Sequence, residues 1–177
     1  MSAGTMSDAS SGDDVMDRVG RAIALIQSGD PSAARELLEQ LWAEVGDDGD
    51  ALHRCAIAHQ LADVQDDLAE ELQWDLRALA AATSISDERL ASTGAATTVD
   101  GLFPSLHLNL ADVYRRLGDD ANARRHIEQG RRASGALASD GYGDMVRDAL
   151  DRVERRLVEA RSSSSQGPDP SADPLAP

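Results

Sequence analysis

Apolar residues recur at helical spacing through most of the chain, in short runs separated by glycine–aspartate turns. The clearest run is Leu106, Leu110, Val113 and Leu117, at steps of four, three and four. These lay one stripe along a helix, with Tyr114 at its border. Gly118 ends that helix where positive φ is wanted, and Asp119 or Asp120 caps the next. The following helix carries small Ala121 and Ala123, then Ile127 and Gly130, residues that let two helices approach closely. Earlier in the chain, Val15, Val19, Ala22, Ile23 and Ile26 predict a helix starting near Asp13 and stopping at Gly29-Asp30-Pro31. A second helix then presents Ala34, Leu37, Leu38, Leu41, Trp42 and Val45.

The same grammar returns in weaker form. Asp50 reads as the cap of a helix from Ala51 to Val64, with Leu52, Ala56, Ile57 and Leu61 inward. Asp66 and Asp67 lead a partner helix with Ala69, Leu72, Leu76 and Leu79 on its inner face. Leu72, Leu76 and Ala80 align with Leu37, Leu41 and Val45 at a constant offset of 35, and Val64 takes the place of the turn glycine. Val146, Ala149, Leu150, Val153 and Leu157, with Met145 at the start, predict an amphipathic last helix with a charged outer face.

The unit around Leu106 resembles the tetratricopeptide repeat, with its pattern W-x2-L-G-x2-Y, then A-x3-F, then P. His107 stands at the Trp position; Leu110, Ala111 and Tyr114 stand for L, G and Y; Ala123-x3-Ile127 stands for A-x3-F. The closing Pro is absent, with Gly135 in its place. Gly29, Ala34 and Leu38 repeat the motif in the first unit, and Ala69 stands for the small residue in the second. The resemblance implies an all-α, right-handed solenoid of about three helical hairpins with a C-terminal capping helix.

The resulting division is a disordered N-terminus over 1–12, a helical domain over 13–160 and a disordered tail over 161–177. The domain holds repeats at about 13–46, 49–81 and 103–134, and a capping helix at 142–160. The spacing leaves an insertion at 82–101, where Ser86-Asp87-Glu88-Arg89 reads as a short helix start, Leu90 as its apolar contact and Thr93-Gly94 as its end.

Composition narrows the function classes. Aromatics are 3% of the chain, so Ala, Leu, Val and Ile build the core. The net charge is −15, and every basic residue is Arg. That excess of acid argues against broad contact with a nucleic-acid backbone. The Asp-, Ala- and Arg-rich, Lys-free balance resembles that of proteins from high-GC bacteria such as actinobacteria. No run suits a membrane helix, the first residues do not form a secretory signal, and one cysteine, Cys55, cannot make an internal disulfide; a cytoplasmic setting is expected.

Site chemistry is sparse. His53, Cys55 and His59 form H-x-C-x3-H, but on a helix His53 lies about 160° from Cys55, so no metal is expected. His53 and His107 read instead as packing substitutes for the repeat's Trp. The acids of Gly46–Asp50 lack the Gly and distal Glu at the spacing a calcium loop requires. No nucleophile elbow, phosphate loop or zinc-protease motif occurs, and the Asp pairs sit at turns as caps, so neither catalysis nor a cofactor is expected.

The resemblance implies that the first helix of each repeat lines a concave groove. Leu108, Asn109, Asp112, Arg115 and Arg116 would face it in the third repeat, and Arg54 and Ala58 in the second. Asn109 with the two arginines partly resembles the carboxylate-holding set of some members; the competing reading pairs those arginines locally with Asp112 and Asp119. The implied function is a non-catalytic scaffold or adaptor binding a peptide or helix of an unidentified protein. The insertion at 82–101 is a second candidate occupant of the groove. The alternatives are a self-associating structural repeat protein and an enzyme or small-ligand-binding helical domain.

Overall fold

The computed structural model describes residues 7–95 and 97–165, with side chains described between 14 and 160. Every regular element among them is helical: α1 (Ser7–Gln27), α2 (Pro31–Val45), α3 (Ala51–Ala62), α4 (Leu68–Ala82), α5 (Asp87–Ala91), α6 (Phe103–Arg116), α7 (Asp120–Ala133) and α8 (Gly141–Ser165). Short 3-10 turns lie at Val99–Leu102 and Ser134–Ala136. The pairs α1/α2, α3/α4 and α6/α7 form antiparallel hairpins. Each packs on the next, through α2 on α3 and α4 on α6, and α8 closes the array against α6 and α7. This is an all-α, tetratricopeptide-like array of stacked hairpins.

Each hairpin is punctuated by an aspartate cap. The N–H of Ala33 donates to Asp30, that of His53 to Asp50, those of Ala69 and Glu70 to Asp67, and that of Asn122 to Asp119. Each cap satisfies donors that the first helical turn leaves without partners. Gly29 and Gly118 take φ of 87° and 79° at the turns between paired helices, the left-handed region that a Cβ disfavours.

The middle hairpin closes differently. Its first helix ends at Ala62, two residues short of the predicted Val64, and Val64 itself is buried. With no glycine there, the turn closes through the N–H of Val64 to the Leu61 carbonyl and that of Gln65 to the Ala62 carbonyl, and side chains add to it. Gln65 Nε2 donates to the Leu61 carbonyl, and the Arg35 guanidinium donates to the Val64 carbonyl and to Asp66.

Counting from the caps corrects the register of α4. Ala34, Glu71 and Ala123 each stand four residues after their cap, and Leu38, Asp75 and Ile127 each stand eight after. The offset between the first two hairpins is therefore 37, not 35. Ala69, predicted at the crossing, lies exposed in the first turn of α4, and Leu72 and Leu76 are only half-buried. The inner face of α4 runs instead through Glu71, Asp75, Ala78 and Ala82.

Two apolar clusters form the body. One joins Val19, Ala22, Leu38, Leu41, Ile57 and Leu61 from the first three helices. The other joins Leu52, Cys55, Ala78, Ala82, Ile85, Leu90 and Leu106. Trp42 and Trp74 meet edge-to-face at 5.0 Å between them, with the Arg77 guanidinium 4.4 Å over Trp74. Ala111, Ala123 and Ile127 pack on Val153 and Leu157 of α8. Gly130 permits that crossing, because a Cβ there would meet Leu150 Cδ2 at 2.9 Å. His53 and His126 are buried, His126 stacking on Tyr114 at 5.5 Å with its Nδ1 3.1 Å from that of His107.

The long connection contains the predicted short helix, capped by Ser86 and turned at Gly94 (φ 74°). Leu90 is 4% exposed, and Arg89 reaches Asp50 at 2.8 Å, tying α5 to the start of α3. The outer helices run beyond their predicted ends: α1 begins at Ser7 and α8 continues to Ser165. Periodicity marks where a helix buries a face, and backbone helix can extend past the last buried residue. The remaining terminal segments expected to be disordered, 1–6 and 166–177, lie outside the described residues. No helix among the described residues is long and apolar enough to cross a membrane.

Candidate groove and its acidic end

The first helices of the hairpins present one continuous face. A cavity of about 430 Å³ opens there, floored by Leu52, Cys55, Leu90 and Leu106 and flanked by Met16, Ile23, Ala56 and Leu102. Tyr142, at the start of α8, stands on its rim and is 52% exposed. The connection after α4 contributes Leu90, Thr93, Ala95 and Thr97. Part of the concave face is thus covered by the chain's own insertion, and the remainder is open and mainly apolar. Burial pushes the Cys55 thiol up to about 11, which leaves it protonated and unreactive as a nucleophile near neutrality.

Further along the same face the chemistry changes. A second cavity of about 280 Å³ is lined by Asp63, Gln65, Glu71, Asn109, Asp112 and Arg116. The Arg116 guanidinium holds Glu71 at 2.6 Å, and Arg115 holds Asp112 at 2.8 Å. Asn109 Nδ2 faces Asp63 at 3.3 Å, Asp75 at 3.4 Å and His59 Nδ1 at 3.5 Å. Asp75 is 1% exposed, and its Oδ2 has no hydrogen-bond partner. Burial, reinforced by the Asp63 and Glu71 charges, pushes Asp75 up to about 8, against the pull of Asn109 and Arg116. Burial also raises Asp63 and Glu71 above the usual carboxylate range.

The predicted groove residues divide. Asn109, Asp112 and Arg116 line the acidic end. Arg115 is paired with its own-helix neighbour Asp112, and Arg116 with Glu71 rather than Asp119. Arg54 donates to the Asp47 carbonyl, and Ala58 is fully buried in the core cluster that also holds Cys55; neither residue lines the apolar or the acidic cavity. Leu108 packs under α8. A carboxylate-holding set is not formed, because Asn109 is surrounded by acids and both arginines are already paired.

Several site residues escaped the sequence reading. Glu71 and Asp75 become visible once the hairpins are aligned on their caps, since they occupy places held by Ala34 and Leu38 in the first. Cys55 and His59 were weighed only as metal ligands; with Asp63 they follow at four-residue steps on α3, which a stripe count could have placed on the groove. Tyr142 had no local signal, because only the closure of α8 brings it to the rim. His53 turns toward Asp50 and Arg89 while His59 faces Asn109, so the H-x-C-x3-H residues do not converge.

Comparison with family models finds the tetratricopeptide repeat at residues 18–40 and 104–129. These segments fall on the first and third hairpins, and repeats of this kind generally mediate protein–protein interaction. The unmatched middle hairpin is the one with a glycine-free turn and acids at its crossing. No curated protein and no solved structure matches the chain.

Proposed function

We propose that the protein is a non-catalytic interaction module of a bacterial cytoplasm, holding a peptide or helix of another protein in the groove formed by α1, α3 and α6. The observation that supports this is the apolar cavity left open between Met16, Leu106 and Tyr142 after the chain's own connection has covered part of the concave face. Burial of such a surface by a partner supplies a favourable free energy of roughly 25 cal/mol per Å², and an exposed tyrosine at the rim is a residue type enriched at binding hot spots. Catalysis gains no support: the cysteine is held protonated, Asp67 and Asp119 cap helices, Asp47 and Asp48 lie exposed in a turn, and Glu71 and Asp75 lie in the α4–α6 seam.

The test is affinity capture from native lysate with the wild-type chain and with the double variant Met16→Glu, Tyr142→Ala. Both positions are accessible, so circular dichroism should be unchanged. A prey lost with the variant supports the groove; a prey set unchanged by it refutes the assignment.

A further inference from the structure

Two neighbouring stripes run from the apolar cavity into the acidic one. On α3 they are Cys55, His59 and Asp63; on α6, Ser105, Asn109, Asp112 and Arg116. His59 lines the apolar cavity and lies 3.5 Å from Asn109, which lines the acidic one, so the two form one track.

The acidic end is short of positive charge. Its two arginines are engaged by Glu71 and Asp112. That leaves Asp63 and Asp75 sharing the carboxamide of Asn109 with His59, at 3.3 to 3.5 Å. A carboxamide has two N–H groups and no charge, and contacts of that length are at the weak end of hydrogen bonding. Asp75 is nearly inaccessible and kept neutral by its burial, so the charge left to be met at the surface of this end is that of exposed Asp63. An ammonium or guanidinium offers three or five N–H donors and the missing charge.

We propose that the groove receives an amphipathic segment of a partner protein, which lays apolar side chains between Met16, Leu106 and Tyr142 and sets one lysine or arginine against Asp63 at the acidic end. The inference rests on the groove reading above and adds the partner's polarity. The geometry sets a spacing. Asp63 lies eight residues beyond Cys55, or about 12 Å along α3. The basic residue therefore stands about eight positions from the central apolar anchor in a helical partner, and about four in an extended one. The chain's net charge of −15 adds long-range attraction for such a segment.

The experiment is selection of short random-sequence peptides displayed on phage against the full chain, followed by affinity measurement on the enriched peptides. The expected consensus joins apolar residues to one Lys or Arg at that spacing. Replacing the basic residue with Gln should weaken binding to wild type about tenfold and leave binding to Asp63→Asn nearly unchanged. An equal loss on both proteins, or a consensus with no basic position, overturns this inference while the groove reading stands. Enriched peptides that bind the Met16→Glu, Tyr142→Ala variant as well as wild type overturn the groove reading itself. A selection that enriches nothing counts against both.

Discussion

At the residue scale, Asp75 has the largest consequence. It stands where the other hairpins place Leu38 and Ile127, and burial there favours the protonated acid. An unfolded Asp gives up its proton near its ordinary value of 3.8, whereas the folded one keeps it up to about 8. The folded state therefore binds more protons across that window. Stability falls as pH rises through it, by at most about 1.4 kcal/mol for each step of one in pH. Asp75→Asn should remove this slope. Urea denaturation should show the variant more stable than wild type by on the order of 2 kcal/mol near pH 8.5, with a much smaller gain near pH 5. A gain independent of pH would refute the assignment. His126 works in the opposite sense: burial lowers it to about 4, so its contribution is lost as pH falls from its ordinary 6.5 toward that value. The difference between variant and wild type isolates Asp75 from this background. The arginine pair separates similarly. Arg116→Glu should lower the melting temperature, because it releases Glu71 and adds a carboxylate to the seam. Arg115→Glu exchanges only a contact within α6 and should change it little.

At the element scale, the hairpins are specified by their punctuation and crossing points. Gly118→Ala places a Cβ at φ 79° and should cost about 1 kcal/mol, measurable by chemical denaturation. Ala111→Trp and Ala123→Trp should unfold the third hairpin, since both sites are fully buried between α6, α7 and α8; an unchanged melting curve would refute the packing described. The cap aspartates were legible in the sequence because a carboxylate before an apolar run answers a purely local need. The register of α4 was not. The apolar count sought leucines on the inner face, whereas the chain placed Glu71 and Asp75 there and left Leu72 and Leu76 at the flanks. A hydrophobic pattern cannot report a face whose buried residues are acids. The turn at Val64 was also opaque, because what replaces its glycine is Arg35 from the preceding hairpin, reached only through stacking.

At the scale of the whole molecule, the connection over 82–101 determines how much concave surface stays open. Leu90 anchors it in the core and Arg89 ties it to Asp50, which this guanidinium and the His53 backbone hold below the usual carboxylate range despite its burial. Leu90→Ala should cost about 2–4 kcal/mol and increase hydrogen exchange over 87–102; protection unchanged there would mean the connection is held by other contacts. The sequence by itself determined the helical hairpins, their caps, the anchor repeat and the short helix in the connection, because each depends on residues a few positions apart. Only the tertiary structure decided that Tyr142 meets α1 and α3 across a groove, that Leu108 is covered by α8, and that Asp63, Asp75 and Asn109 converge. Those residues come from different helices, and their meeting depends on how the helices pack and the hairpins stack, a relation between elements that no local period encodes.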